Sequence, residues 1–209
     1  LHDSNRFSIY DGVKPDPSVE IVAQVITHII TLKPTKIIGF GGGSSIDTVK
    51  AAIYFSLQQN VIEDKPEFIA IPTTSGTGSE MTSFAVISDV KEKKKIALIH
   101  DSMYADMALL DPKLTLSVPP LITAHTGFDA LTHALESYVA KKASFFTDGI
   151  DVKVVSLILE NLILCYKNGK NLKAREAMST AANMAGIAFN LAGLGVIHSI
   201  AHQLGGMFH

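Results

Sequence analysis

Short apolar runs and helical-period patterns alternate along the first 118 positions of the chain. Lys36 to Phe40, Phe68 to Ile71, Phe84 to Ile87, Ile96 to Ile99 and Met107 to Leu110 are four- or five-residue runs of strand length. Phe7 to Tyr10 reads as a further short strand. Between the first two turns, Val19, Val22, Ala23, Ile26, Ile29 and Ile30 recur at helical spacing. Asp16 is the expected N-cap of that helix, with Pro17 at its first position. A second helix is expected from Ser45 to about Leu57. Phe84 to Ile87 and Ile96 to Ile99 flank a charged turn and predict a hairpin. Strands alternating with helices imply a mainly parallel sheet.

The pattern changes near Pro119-Pro120. From there to His209 the chain has no proline, and Ala, Leu and Ile fill long stretches punctuated by Gly and Asn. Helices are predicted near 120–140, 146–167, 171–191 and 194–208. The plan is therefore an α/β domain over 1–118 followed by an all-α helical domain over 119–209. There is no internal repeat and no low-complexity tract.

Composition sharpens this. The 209 residues carry 18 Lys and Arg against 20 Asp and Glu, a net charge of -2, and 47% are hydrophobic. Mean hydropathy is +0.27. High apolar content with little net charge excludes a disordered chain. No basic excess exists to neutralise phosphates, so no nucleic-acid partner is expected. The basic run Lys91 to Lys95 reads as a solvated turn. No run approaches the ~18 apolar residues of a membrane span, and no signal sequence opens the chain. A cytoplasmic protein is expected. Cys165 is the single cysteine, so neither an internal disulfide nor a cysteine-based zinc site can form, and its apolar surroundings suggest a buried thiol. The first residue is Leu1, which a processed start or a piece of a longer chain would show.

Two loops follow strands and carry chemistry. In Gly39-Phe40-Gly41-Gly42-Gly43-Ser44-Ser45-Ile46-Asp47, bare glycine backbone ahead of a helix N-terminus suits an anion such as phosphate. The spacing is neither a strict G-x-G-x-x-G nor a Walker A loop, and a tight strand-to-helix turn explains the glycines equally well. Thr73 to Ser79 packs hydroxyls and glycines into seven residues, which suits a diphosphate or ribose, or a polar turn capped through Ser79. No G-x-S-x-G elbow is present. Two such loops on successive parallel strands lie side by side, which favours a nucleotide over either loop alone.

In the second half, Asp129 and His133 stand four apart on one helix, and His198 and His202 four apart on another. All four lie in apolar stretches. A carboxylate with imidazoles supplies O and N donors for Zn2+ or Fe2+. A helix-surface hydrogen bond is the alternative for one such pair; two pairs favour a metal. Histidines 2, 28, 100, 125 and 209 show no such pairing and read as mostly solvated.

Four motifs now stand in order over nearly the whole chain: Gly41-Gly42-Gly43-Ser44-x-x-Asp47, Pro72 to Glu80, Asp129 to Glu136, and Gly193 to Gly205. Together they resemble the iron-containing (group III) alcohol dehydrogenases, and the stretch Ile200 to Gly206 looks closest to the propanol and ethanol dehydrogenase branch. The resemblance implies a Rossmann-like nucleotide-binding domain followed by a helical domain, in a dehydroquinate synthase-like architecture. It implies NAD or NADP as cofactor, with Gly41, Gly42, Gly43, Ser44 and Asp47 at the pyrophosphate. Thr73, Thr74, Ser75, Thr77 and Thr82 would surround the ribose and nicotinamide, and Lys95 would reach the cofactor. Asp16 stands where many relatives have Asn beside the cofactor. Asp129, His133 and His198 match metal ligands, usually for Fe2+, with Zn2+ permitted. His202 matches a histidine near the metal and is the candidate proton relay. Phe189 matches an aromatic residue of the substrate pocket.

The resemblance also implies a fourth ligand, a histidine beyond His209, and a strand–helix–strand unit ahead of Leu1. The chain then reads as the middle of a longer enzyme, truncated within both domains, whose low charge partly reflects core without its covering segments. The implied activity is hydride transfer between a small primary alcohol or aldehyde and NAD(P), in a protein that self-associates. Three alternatives remain at this level: a glycerol dehydrogenase or dehydroquinate synthase relative, a non-catalytic fragment with an incomplete metal site, and a phosphate-binding module without catalysis.

Overall fold

The structure, a computed structural model, describes residues 7–208. His2 and His209 lie outside the described residues. Helix α1 spans Val19–Leu32, strand β1 Lys36–Gly41, helix α2 Gly43–Gln58 and strand β2 Glu67–Pro72. Strands β3 (Phe84–Asp89) and β4 (Lys94–Ile99) precede the two-residue strand β5, Met107–Ala108. Four helices follow: α3 Pro120–Tyr138, α4 Phe145–Lys167, α5 Leu172–Ala192 and α6 Val196–Met207.

The sheet β1–β2–β5 is parallel, with Lys36 opposite Glu67 and Ile69 opposite Met107. The hairpin predicted from the charged turn forms as β3 and β4, antiparallel, with Phe84 opposite Ile99. Its turn is closed by the Asp89 carboxylate, which accepts from the Lys91 and Glu92 backbone N–H groups at 3.1 and 3.0 Å.

Helix α2 is covered on both sides. Ile46, Val49 and Ile53 meet Phe68 and Ala70 of β2, while Ala51 and Ala52 meet Val22, Val25 and Ile29 of α1 and Ile87 of β3. The helical part has its own core of Ala130, Ala134, Val154, Ile158, Leu162, Cys165, Met178 and the alanines of α5. Small residues there let helices approach closely, and Cys165 is fully buried, as expected. Buried Arg175 fastens this core to the segment entering α3. Its guanidinium donates to the Val118 carbonyl (3.0 Å), the Gly169 carbonyl (3.0 Å) and Thr123 Oγ1 (2.8 Å). Val152, Leu159 and Ile163 of α4 and Ile197, Ile200 and Leu204 of α6 are exposed. Among the described residues no single helix is long and apolar enough to cross a membrane.

Three expectations fail here. Phe7 to Tyr10 forms no strand: Phe7 and Ile9 are 78% and 76% exposed, with no neighbouring strand to pair with among the described residues. The N-cap of α1 is Ser18, whose Oγ accepts from the Ile21 N–H at 3.4 Å, and not Asp16. Asp16 instead sits at φ +55°, and both it and Pro17 lie outside the helix. The last strand stops at Ala108, because only Ile69 and Ala70 of β2 offer it partners.

Candidate metal centre and cofactor loops

The glycine loop turns β1 into α2. Gly41 takes φ +148°, a conformation reserved for glycine, and an added Cβ there would strike the Ser45 side chain. The N-cap of α2 is Gly42, with no side-chain cap, so the first-turn N–H groups of Gly43 and Ser44 are available to an acceptor from outside the helix. The second loop lies alongside, as adjacent parallel strands require. The Thr73 N–H donates to the Gly41 carbonyl at 2.9 Å, and a Cβ on Gly43 would lie 2.7 Å from Thr77 Cγ2. Gly41, Gly42, Gly43, Ser44, Thr73, Thr74 and Thr77 are all half-buried, so each keeps an open side.

Not every loop residue shares that face. Asp47 Oδ1 accepts from Ser79 Oγ at 2.5 Å and its Oδ2 from the Val86 N–H at 2.9 Å, which ties α2 to the second loop and to β3. Ser75, 8% exposed, bonds Ser179 Oγ of α5 at 3.0 Å. Thr82, 1% exposed, accepts from Lys50 Nζ at 2.9 Å. Asp47, Ser75 and Thr82 thus have partners inside the fold that brace the two loops. Lys50 is fully buried and also donates to the Ser79 and Phe84 carbonyls, the latter at 2.8 Å. Burial pushes its ammonium down to about 8 against the pull of Asp47 and Glu80.

The second loop runs on against the helices. A Cβ on Gly76 would lie 2.6 Å from Thr126 Cβ of α3, the helix that also carries Asp129 and His133. Gly78 takes φ +59° and packs backbone to backbone on Gly186 of α5. Glu80 accepts from Asn183 Nδ2 at 3.1 Å, and the Ser83 N–H donates to Asn190 Oδ1 at 3.0 Å. Ser179, Asn183, Gly186 and Asn190 thus form one face of α5 that receives the loop.

Asp129 and His133 lie one turn apart on α3. Helix α6 follows α5 after a 103° bend through Gly193-Leu194-Gly195, which swings His198 onto them. Asp129 Oδ1 lies 3.8 Å from His133 Nε2 and 3.5 Å from His198 Nε2, and one donor atom from each residue lies within 4.8 Å of the others. Donors about 2.1 Å from a common ion stand about 3–4 Å apart, so the spacing fits one divalent cation. Two imidazoles and one carboxylate are the donor set of non-haem Fe2+ sites and also suit Zn2+. Burial pushes His133 down to about 4, although Asp129 pulls the other way, so its ring is neutral and able to bind. Burial opposes the charged forms of Asp129 and His198, yet their mutual hydrogen bond, with Glu136 beside His198, outweighs it. Asp129 is held low and His198 is raised.

The remaining residues surround this triad. The Phe189 ring stacks on His133 with centroids 4.4 Å apart, and His133 stacks on His198 at 4.4 Å. His202 stands edge-on to His198 at 6.0 Å, half-buried and outside the ligand group. The C-terminal end of α6 packs on β4, where Gly206 meets the Lys94 and Lys95 backbone. Lys95 Nζ donates to Asp16 Oδ1 at 2.6 Å, so one lysine of the expected solvated run is paired and largely covered. An open groove of about 570 Å³ between α4 and α5 shares no lining residue with this region.

Two residues of the site were not singled out from sequence. Lys50 interrupts the apolar face Ile46, Val49, Ile53, and a lysine inside such a run is its signal. Glu136 falls at i+7 from Asp129 and i+3 from His133, the same helical face. Its carboxylate accepts from His198 Nδ1 at 2.5 Å and from the Ile197 N–H at 2.7 Å.

A Rossmann-like α/β unit with uncapped glycine backbone at a helix N-terminus, joined to helices that carry a two-histidine, one-carboxylate triad, is the architecture of a class of protein able to hold both a nucleotide and a metal. The iron-containing alcohol dehydrogenase model matches residues 2–112, and the C-terminal model of the Fe-containing alcohol dehydrogenase family matches 123–209. The chain belongs to the iron-containing alcohol dehydrogenase family. It is 49% identical over 209 residues to the 1-propanol dehydrogenase PduQ of Citrobacter freundii, covering all of this chain and 56% of that protein. It is 42% identical to an NADPH-dependent butanol dehydrogenase of Clostridium saccharobutylicum, covering 96% and 55%. The crystal structure of a 1,3-propanediol oxidoreductase superposes with TM-score 0.88 at 36% identity, covering 96% of this chain and 55% of that one. Sulfoacetaldehyde reductase from Bifidobacterium kashiwanohense, in complex with NAD+, superposes with TM-score 0.87 at 31% identity over 95% and 56%. The chain thus spans a little over half the length of these relatives.

Proposed function

We propose that the protein is a metal-dependent NAD(P)-linked oxidoreductase of small primary alcohols and aldehydes. The observation that carries this is the packing of Gly76, at the tip of the second loop, on Thr126 of α3, the helix that carries Asp129 and His133: the glycine- and hydroxyl-rich loops abut the helix of the metal donors. The propanol and butanol dehydrogenases among the relatives supply the substrate class.

When bound, the metal acts as a Lewis acid toward an alcohol oxygen, and the nicotinamide accepts or returns the hydride. Asp129, His133 and His198 hold Fe2+, with Zn2+ as the alternative. Gly41, Gly42, Gly43 and Ser44 receive the pyrophosphate through backbone N–H groups. Thr73, Thr74 and Thr77 offer hydroxyls to the ribose. Asp47, Ser75 and Thr82 hold that surface in shape from behind. Lys95, paired with Asp16, closes the cofactor side. Phe189 excludes water from the inner face of His133 and walls the substrate pocket. His202, on the outer side of His198, passes the substrate proton toward solvent. The division into a nucleotide-binding part to residue 118 and a metal-binding part beyond it belongs to the same reading. So does a self-associating cytoplasmic enzyme without nucleic-acid or membrane partners; the net charge of -2 bears on the nucleic acid alone, since no basic excess meets its phosphates.

The test is reduction of propionaldehyde by the Fe2+-loaded protein with NADH and with NADPH. Turnover with at least one cofactor is expected, together with loss of most of it in His198→Ala. An unaltered rate in that variant, or binding of neither cofactor, overturns the reading.

A further inference from the structure

Glu136 is the one carboxylate of α3 that faces the triad without joining it. It is 4% exposed, so its charge is enclosed, and both its oxygens have donors. Oε1 accepts from the Ile197 N–H at 2.7 Å, and Oε2 from His198 Nδ1 at 2.5 Å and the His198 N–H at 3.4 Å. Ile197 and His198 are the second and third residues of α6, whose N-cap, Gly195, has no side chain to cap with. The missing cap thus comes from another helix, and a negative charge at a helix N-terminus is favoured there. Gly195 must be bare for this, because a Cβ would lie 2.7 Å from Glu136 Oε1.

We propose that Glu136 is the positioning residue of the metal centre, setting at once the tautomer of His198 and the placement of the helix that carries it. This rests on the triad being the metal site. An ionised carboxylate only accepts, so His198 Nδ1 must bear a proton when it meets Oε2. Nε2, the nitrogen that faces Asp129 at 3.5 Å, is then the one left to give up its proton to a metal. The same carboxylate anchors the first turn of α6, so ring and backbone of His198 are fixed from one point. His133 has no equivalent: its Nδ1 is buried without a hydrogen-bond partner among the described residues. Of the two imidazoles, His198 is thus the one whose ring a carboxylate sets, and that carboxylate is Glu136. Carboxylate–histidine–metal arrangements of this kind change metal affinity about 10–100-fold when broken.

Glu136→Gln separates the two duties. An amide has one acceptor oxygen, so it satisfies either the helix N–H or the His198 Nδ1–H, and turns a donor toward the other. The experiment is a Co2+ titration of the protein, reading the dissociation constant and the visible spectrum of the bound ion, with thermal unfolding of the metal-free forms alongside. Wild type is expected to bind one Co2+ and His198→Ala to lose it. Glu136→Gln is expected to bind about 10–100-fold more weakly with an altered spectrum, and to have no further effect in the His198→Ala background. Gly195→Ala, which displaces the carboxylate without removing its charge, is expected to weaken binding in the same direction and carries the test if Glu136→Gln does not fold. Affinity and spectrum unchanged while unfolding shifts would make Glu136 a helix cap alone and overturn the proposal. Failure of wild type to bind Co2+, or equal binding by His198→Ala, would instead refute the triad itself.

Discussion

Gly186 and Gly149 are both helical glycines, and the same substitution at each is expected to have opposite signs. An alanine Cβ at Gly186 would lie 2.6 Å from the Gly78 carbonyl oxygen and 3.1 Å from its Cα. Those are backbone atoms, held at φ +59° by a loop that Lys50, Asp47 and Asn183 fasten on three sides. Neither side can give easily, and overpacking of this kind costs about 1–3 kcal/mol. The better helix propensity of alanine returns up to about 1 kcal/mol. The net loss is up to about 2 kcal/mol, or up to roughly 8 °C in Tm for a chain of this size. At Gly149, in the exposed interior of α4, a Cβ meets nothing within 4 Å. There the propensity gain stands alone, about 0.5–1 kcal/mol of stabilisation. Thermal unfolding of the two variants beside wild type reads both signs in one experiment. Gly186→Ala as stable as Gly149→Ala would show that the loop does not rest on α5. Because that loop also carries Thr73, Thr74 and Thr77, Gly186→Ala should weaken nucleotide binding in a fluorescence titration, and Gly149→Ala should not.

Further expectations come from the buried cations. Lys50 titrates near 8 in the folded protein against 10.5 unfolded. Below pH 8 both states hold the proton; between about 8 and 10.5 only the unfolded state does, so stability rises with pH across that window, by about 3 kcal/mol in all. Urea unfolding of wild type and Lys50→Met through this range should diverge by that amount, and parallel curves would remove the lysine from the interior. Arg175→Ala leaves two carbonyls and a hydroxyl without their donor and should cost about 3 kcal/mol. Arg175→Lys should recover little, since an ammonium cannot span three acceptors that a planar guanidinium reaches, and full recovery in chemical denaturation would contradict that.

Much of this architecture is legible in the chain itself. Apolar runs of strand length gave β1, β2 and the hairpin, and proline-free helical periodicity gave all four later helices to within a few residues. The triad was readable because its ligands sit at helical spacing in apolar stretches, where polar groups need a reason to be. Periodicity is silent on which hydroxyl of a loop turns inward. Ser75 and Thr77 differ by two positions, yet one bonds Ser179 and the other stays at the open side. Nor does it show that Asp47 braces β3 or that Asp16 meets Lys95, since those partners lie 39 and 79 residues away. Phe7 and Ile9 show the opposite limit: an apolar pattern makes a strand only where a neighbouring strand accepts its hydrogen bonds.

The central claim is that Asp129, His133 and His198 bind one metal ion next to nucleotide loops. Elemental analysis of the protein after loading with Fe2+ or Zn2+ and desalting tests it most directly. The account requires about one ion per chain in wild type, by the fit of the three donors. It requires near-complete loss on replacing any one of them by alanine, and retention in His202→Ala. Equal metal content in wild type and all three ligand variants would contradict it.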